Sequence, residues 1–167
     1  MRTKKLAALA MLTAMSLVIF MIEAQLPPLA PIPGIKLGLA NIVTLITMAK
    51  LGRREAFLVL ILRILLGSVF AGQMMSLMYS LCGGLLCFCV TALLIGPGLP
   101  IWVVSVFGAI AHNTGQVAVA VAVTRLGQIT AFLPLLLVSA IVTGAFTGCI
   151  AAAVIKNKSI WRGIDEN

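Results

Sequence analysis

Apolar residues fall in six runs, separated by short breaks that hold most of the Pro, Gly, Lys and Arg. The runs cover about residues 6–26, 35–51, 55–71, 73–95, 101–124 and 132–155. Most are close to the ~20 residues that carry an α-helix through a bilayer, the second and third being shorter. None shows the strict alternation of a half-buried strand. Pro27, Pro28, Pro31, Pro33 and Gly34 end the first run, Gly52-Arg-Arg54 the second, and Gly96-Pro-Gly-Leu-Pro100 the fourth. Each is a helix-breaking signal. Pro134 falls in the first turn of the last run, where it is tolerated. The pattern predicts an all-α membrane protein of six transmembrane helices in one integral domain spanning residues 1–167.

Composition sharpens this. The chain of 167 residues is 62% apolar and has twelve cationic and four acidic side chains. Soluble domains average about 45–50% apolar and about 25% charged, so a water-soluble fold and a disordered tail are both excluded. The first run follows Arg2, Lys4 and Lys5, as a secretory leader would, but it is longer than the usual ~7–15 apolar residues and ends in Glu23-Ala-Gln25. It reads as a first span.

The net charge of +8 does not point to nucleic acid, because the cations sit in short connections and not on one solvated face. Their placement sets orientation instead. Arg2, Lys4, Lys5, Lys50, Arg53, Arg54, Lys156, Lys158 and Arg162 fall on one side of a six-span chain, leaving Arg125 and Lys36 on the other. Both termini are expected in the cytoplasm, with the chain multi-pass in the cell membrane. Cys82, Cys87, Cys89 and Cys149 lie inside apolar runs without zinc-like spacing, and read as buried, reduced thiols. The eight methionines are packing filler.

Polar side chains at lipid depth are costly and point to function. At ~1.5 Å per residue, Glu23, Lys36, Asn41, Tyr79, His112, Asn113 and Gln116 fall in the middle to outer part of their spans, with Arg63 near the centre. His112 and Gln116 are four apart and share a helix face. This set predicts a pocket opening outward, with the inner half nearly free of polar groups. For several members a structural role stands beside the binding one. Glu23 and Arg63 are a candidate ion pair, Lys36 a candidate for snorkelling to the headgroups, and Asn41 for a helix–helix hydrogen bond. Lys36 and Arg63, offset by Glu23, favour a small ligand with a carboxylate or phosphate and an aromatic or prenyl part along apolar walls.

The inner half of the first run carries Ala7, Ala10 and Ala14, a stripe of small side chains with one small-xxx-small pair. Such pairs let another helix approach closely. Packing within the bundle and docking of another membrane protein are both consistent with it.

Four segments carry a resemblance: Pro33-Gly-Ile-Lys-Leu-Gly-Leu-Ala-Asn41, Leu62-Arg-Ile-Leu-Leu-Gly67, Ser80-Leu-Cys-Gly-Gly84 and Ala111-His-Asn-Thr-Gly-Gln116. In this order they resemble the Gx transporter family, whose older label is heptaprenyl diphosphate synthase component I, across nearly the whole chain. That family is grouped with the substrate-binding S components of energy-coupling factor (ECF) transporters. The resemblance implies a six-helix S-component-like bundle with an outward pocket for a vitamin- or cofactor-precursor-like solute. It also implies docking through an alanine motif, matched by Ala10 and Ala14, onto a transmembrane coupling protein driven by two ATPase subunits.

No enzyme is expected. The chain has no GxxxxGK[ST] loop, so ATP hydrolysis falls to partners and no cofactor is implied. Prenyl diphosphate chemistry needs Mg²⁺ held by carboxylates, and the single Asp, Asp165, lies in the tail. The alternative is an accessory membrane subunit of a heptaprenyl diphosphate synthase in a menaquinone side-chain system. A hydrolase built on His112 and Ser80 or Ser105 lacks a GxSxG turn.

Overall fold

A computed structural model describes residues 2–26, 36–72, 74–96, 98–157 and 159–161. Six α-helices follow in order: α1 (Arg2–Glu23), α2 (Asn41–Lys50), α3 (Arg53–Ala71), α4 (Met74–Leu94), α5 (Ile101–Thr124) and α6 (Leu133–Lys156). A 3₁₀ turn, Gly127–Phe132, leads into α6. No strand occurs among the described residues. The fold is therefore all-helical, with one helix in each predicted apolar run.

Four stretches are long and apolar enough to cross a membrane: Thr3–Glu23, Met75–Leu94, Ile101–Thr124 and Gly127–Lys156. The surface confirms that the chain is a multi-pass membrane protein. Large apolar side chains such as Val69, Leu93 and Phe146 point outward, while Glu23, Arg63, His112, Asn113 and Gln116 are buried. This is the arrangement expected where lipid surrounds the bundle and polar groups must find partners inside.

The second predicted span is corrected. Its helix begins at Asn41, not near residue 35, and its ten residues rise only about 15 Å, half the hydrocarbon core. Residues 36–40 approach it as non-helical backbone. Gly38 explains the break: its φ of +79° lies in the left-handed region that other residues rarely enter. A Cβ there would sit 2.6 Å from His112 Cδ2. The short helix is also the centre of the bundle. It touches all five other helices, and Val43–Met48 are buried without interruption. α3 has the length to span, but Arg53, Arg54, Glu55 and Arg63 make it less apolar than the other four.

α5 lies between α4 and α6, and small residues set the approach. On α6 the buried positions are Leu136, Ala140, Gly144, Gly148 and Ala151, a single helical stripe. A Cβ on Gly148 would lie 2.5 Å from Trp102 Cα, and one on Gly115 would lie 3.0 Å from Gly83 Cα. Backbone meets backbone at these crossings, as small residues allow in membranes.

α1 and α3 run parallel. Lys5 pairs with Glu55 near their N-termini, and Phe20 lies against Gly67 further along. Lys50 stands over the Trp161 ring at 5.4 Å, and Trp161 Nε1 donates to Val154 O at the end of α6. Lys5, Lys50, Arg53, Arg54 and Lys156 therefore gather at one end of the bundle.

Two further readings are corrected. Only Cys87 is buried; Cys82, Cys89 and Cys149 face outward, and all four are free. Ala7, Ala10 and Ala14 are exposed, as are Leu6, Met11, Met15 and Val18 around them. Packing of that stripe inside the bundle is thereby overturned, because α1 buries Thr13, Ser16 and Phe20 instead.

Candidate functional site

The buried polar residues converge where the non-helical segment 36–40 enters the bundle. Backbone amides at membrane depth need internal acceptors, and side chains from α1 and α5 supply them. Glu23, at the end of α1, accepts from the Gly38 N–H. Gln116 Oε1, on α5, accepts from the Lys36 N–H at 3.1 Å. Ser16 on α1 donates to Ala40 O at 3.3 Å. The two ends of the segment are thus fixed by opposite sides of the bundle.

Gln116 also fixes a histidine. With Oε1 turned to Lys36, its Nε2 lies 2.9 Å from His112 Nε2. An amide nitrogen only donates, so His112 Nε2 accepts. The imidazole is then neutral, with its proton on Nδ1. That atom is buried against the Gly83 backbone, where an added Cβ would stand 2.9 Å away. Asn113 faces another way and donates to Leu136 O at 2.7 Å, tying α5 to α6.

Arg63 reaches in from α3, 2% exposed, and its Nη2 donates to Asn41 Oδ1 at 2.9 Å. Its Nε, Asn41 Nδ2 and Lys36 Nζ have no hydrogen-bond partner among the described residues. The Lys36 ammonium lies 3.5 Å from the Phe20 ring centroid, close enough for a cation–π contact. Lys36 therefore turns back onto α1 instead of snorkelling outward.

The candidate ion pair between Glu23 and Arg63 is not formed. Among the described residues, the only salt bridge is Lys5–Glu55. Seven of the eight expected site residues, all but Tyr79, belong to this layer or border it. Tyr79 packs instead with Val117, Ala120, Ile129 and Leu136 in an apolar cluster. Ser16 and Gly38 carry contacts that their residue types did not advertise. Ser16 lies seven residues before Glu23, on the same face of α1, and that spacing was the available signal.

A cavity of about 20 Å³ adjoins the layer, lined by Gly38, Asn41, Cys87, Thr91, Ser105 and Thr147 among others. It has room for about one water. From Asn41 it extends past Leu45 and Ser105, toward the end where the cations gather. The inner half is thus not free of polar groups, because hydroxyls line it. Thr91 donates to Cys87 O and Thr147 to Thr143 O, so Ser105 is left to donate to Thr147 at 3.1 Å. Residues 27–35, which join α1 to the layer, lie outside the described residues. Among the described residues no cluster of three or more His, Cys, Asp or Glu is placed to hold a metal ion.

The family model described as heptaprenyl diphosphate synthase component I matches residues 12–154. No curated protein matches the chain, and neither does any solved structure. The match takes in every residue of the polar layer as well as Ala14, and on that extent the chain belongs to the heptaprenyl diphosphate synthase component I family, the older label of the Gx transporters.

Proposed function

We propose that the chain is the substrate-binding S component of an ECF-type importer. In this reading the polar layer captures a small solute from outside the cell, and the protein itself catalyses no reaction. One observation carries the reading: Arg63, Asn41 and Lys36 bring polar atoms to one buried layer and leave them without hydrogen-bond partners among the described residues. Polar groups held inside lipid only to tie helices together would be paired.

The cationic end of the bundle supports an orientation with both termini in the cytoplasm across six spans. α1 presents Ala7, Ala10 and Ala14 on an exposed face of that same half. Such a strip of small side chains suits close approach of a helix from a coupling protein, whose two ATPase subunits would hydrolyse ATP and drive release inside.

The test is reconstitution. Co-expressed with an energy-coupling module, the chain should co-purify with it and support ATP-dependent uptake of the small molecule that mass spectrometry finds with the purified protein. Failure to associate, together with no retained solute, would defeat the proposal. A second reading, an accessory membrane subunit of a heptaprenyl diphosphate synthase, draws on the family description. Co-purification with a soluble prenyl synthase and retention of a polyprenyl diphosphate would favour it.

A further inference from the structure

Among the described residues, the layer is short of acceptors and not of donors. Arg63 Nε, Asn41 Nδ2 and Lys36 Nζ are buried donors without acceptors. The unpartnered carbonyl oxygen in the layer is Asn113 Oδ1, on the side of α5 that meets α6. Two of the orphan donors flank one hydrogen bond: Arg63 Nη2 donates to Asn41 Oδ1, which leaves Nε on one group and Nδ2 on the other.

Charge narrows what fits. Two cationic side chains, Lys36 and Arg63, face one acidic one, Glu23, a formal excess of one cation that a single monoanion offsets. A phosphate monoester or a diphosphate would overshoot. No cluster of three or more His, Cys, Asp or Glu among the described residues is placed to bring in a compensating metal ion. A carboxylate offers two acceptor oxygens, one for Arg63 Nε and one for Asn41 Nδ2.

Building on the solute-binding reading above, we propose that this layer takes a monocarboxylate, its oxygens held by Arg63 Nε and Asn41 Nδ2. Phosphorylated compounds are discriminated against by charge. The carboxylate satisfies donors that are otherwise buried unpaired, so binding stabilises the folded chain.

The experiment uses the full chain in detergent, with thermal unfolding followed during titration by benzoate, phenyl phosphate and benzamide. Benzoate should raise the midpoint in a saturable way, and benzamide and phenyl phosphate should not. In Arg63→Lys the benzoate affinity should fall at least about tenfold, because the Nε–H donor is lost while the charge remains. Should that variant fail to fold, Asn41→Asp gives an independent reading. Its carboxylate beside Arg63 should raise the midpoint without ligand and abolish the response to benzoate. Phenyl phosphate stabilising as well as benzoate, no response to benzoate, or an unchanged response in Asn41→Asp would each overturn the assignment. Its failure is separable from failure of the importer reading, since association with a coupling module does not depend on which anion binds.

Discussion

Glu23 and Arg63 are buried in the same polar layer and do not touch. Glu23 is taken by the Gly38 amide and Arg63 by the Asn41 carbonyl. A direct ion pair would neutralise both and close the layer on itself. Engaged with a backbone amide and a neutral side chain, they leave the guanidinium able to accept a further anion.

The Glu23–Gly38 contact predicts an order among substitutions. Glu23→Ala strips a buried amide of its acceptor, which costs about 1–3 kcal/mol. Glu23→Gln keeps an acceptor oxygen and should cost less than half as much. Thermal or denaturant unfolding in a fixed detergent reads both. Equal losses would mean that charge, and not the latch on the segment, is what Glu23 contributes.

Gly38 makes the second prediction. Alanine there meets both a left-handed backbone and the His112 ring, 2.6 Å from the new Cβ. The backbone part costs on the order of 1 kcal/mol, and the clash adds to it. Removing the ring should relieve its part of the clash, leaving the backbone strain and the Asn41 amide 2.9 Å from the new Cβ. Gly38→Ala in a His112→Ala background should therefore cost less than in the native chain, by about 0.5–3 kcal/mol of coupling in a double-mutant cycle. Strict additivity would place the ring elsewhere.

The helices were readable because their signals are local. Length, hydropathy and the breaks at Gly52 and Gly96 to Pro100 fix where α3, α4, α5 and α6 begin and end. α2 was misjudged at its start because residues 35–40 are as apolar as a helix, and the turn depends on the conformation of one glycine against His112. The polar layer was visible as residue types at depth, yet its pairing was not. Glu23 and Arg63 looked complementary, but a backbone amide fifteen residues along claimed the carboxylate, and hydropathy says nothing about unsatisfied backbone. Tyr79 shows the converse: an amphipathic ring at the right depth was absorbed by apolar neighbours.

His112 yields a spectroscopic prediction. The Lys36 N–H orients the Gln116 amide, which turns Nε2 of the imidazole into an acceptor. Nitrogen-15 spectra of the labelled ring should show the neutral tautomer with its proton on Nδ1. Gln116→Ala removes the donor, and the two tautomers should then mix. A native ring protonated on Nε2 would require the Gln116 amide to be turned over, and the Lys36 contact to be lost with it.

The alanine face of α1 separates stability from association. Ala10 is exposed, and an indole added there has no neighbour in the monomer to displace. Ala10→Trp should change unfolding by no more than about 0.5 kcal/mol, as surface substitutions do. The same indole would hold a partner helix several ångströms off, beyond the close approach that small residues permit. Co-purification with a coupling protein should therefore fail while benzoate still shifts the unfolding midpoint. Retained association would show that the partner meets a different face, and Leu135→Trp on the exposed side of α6, at the other end of the bundle, serves as the control that should leave association intact.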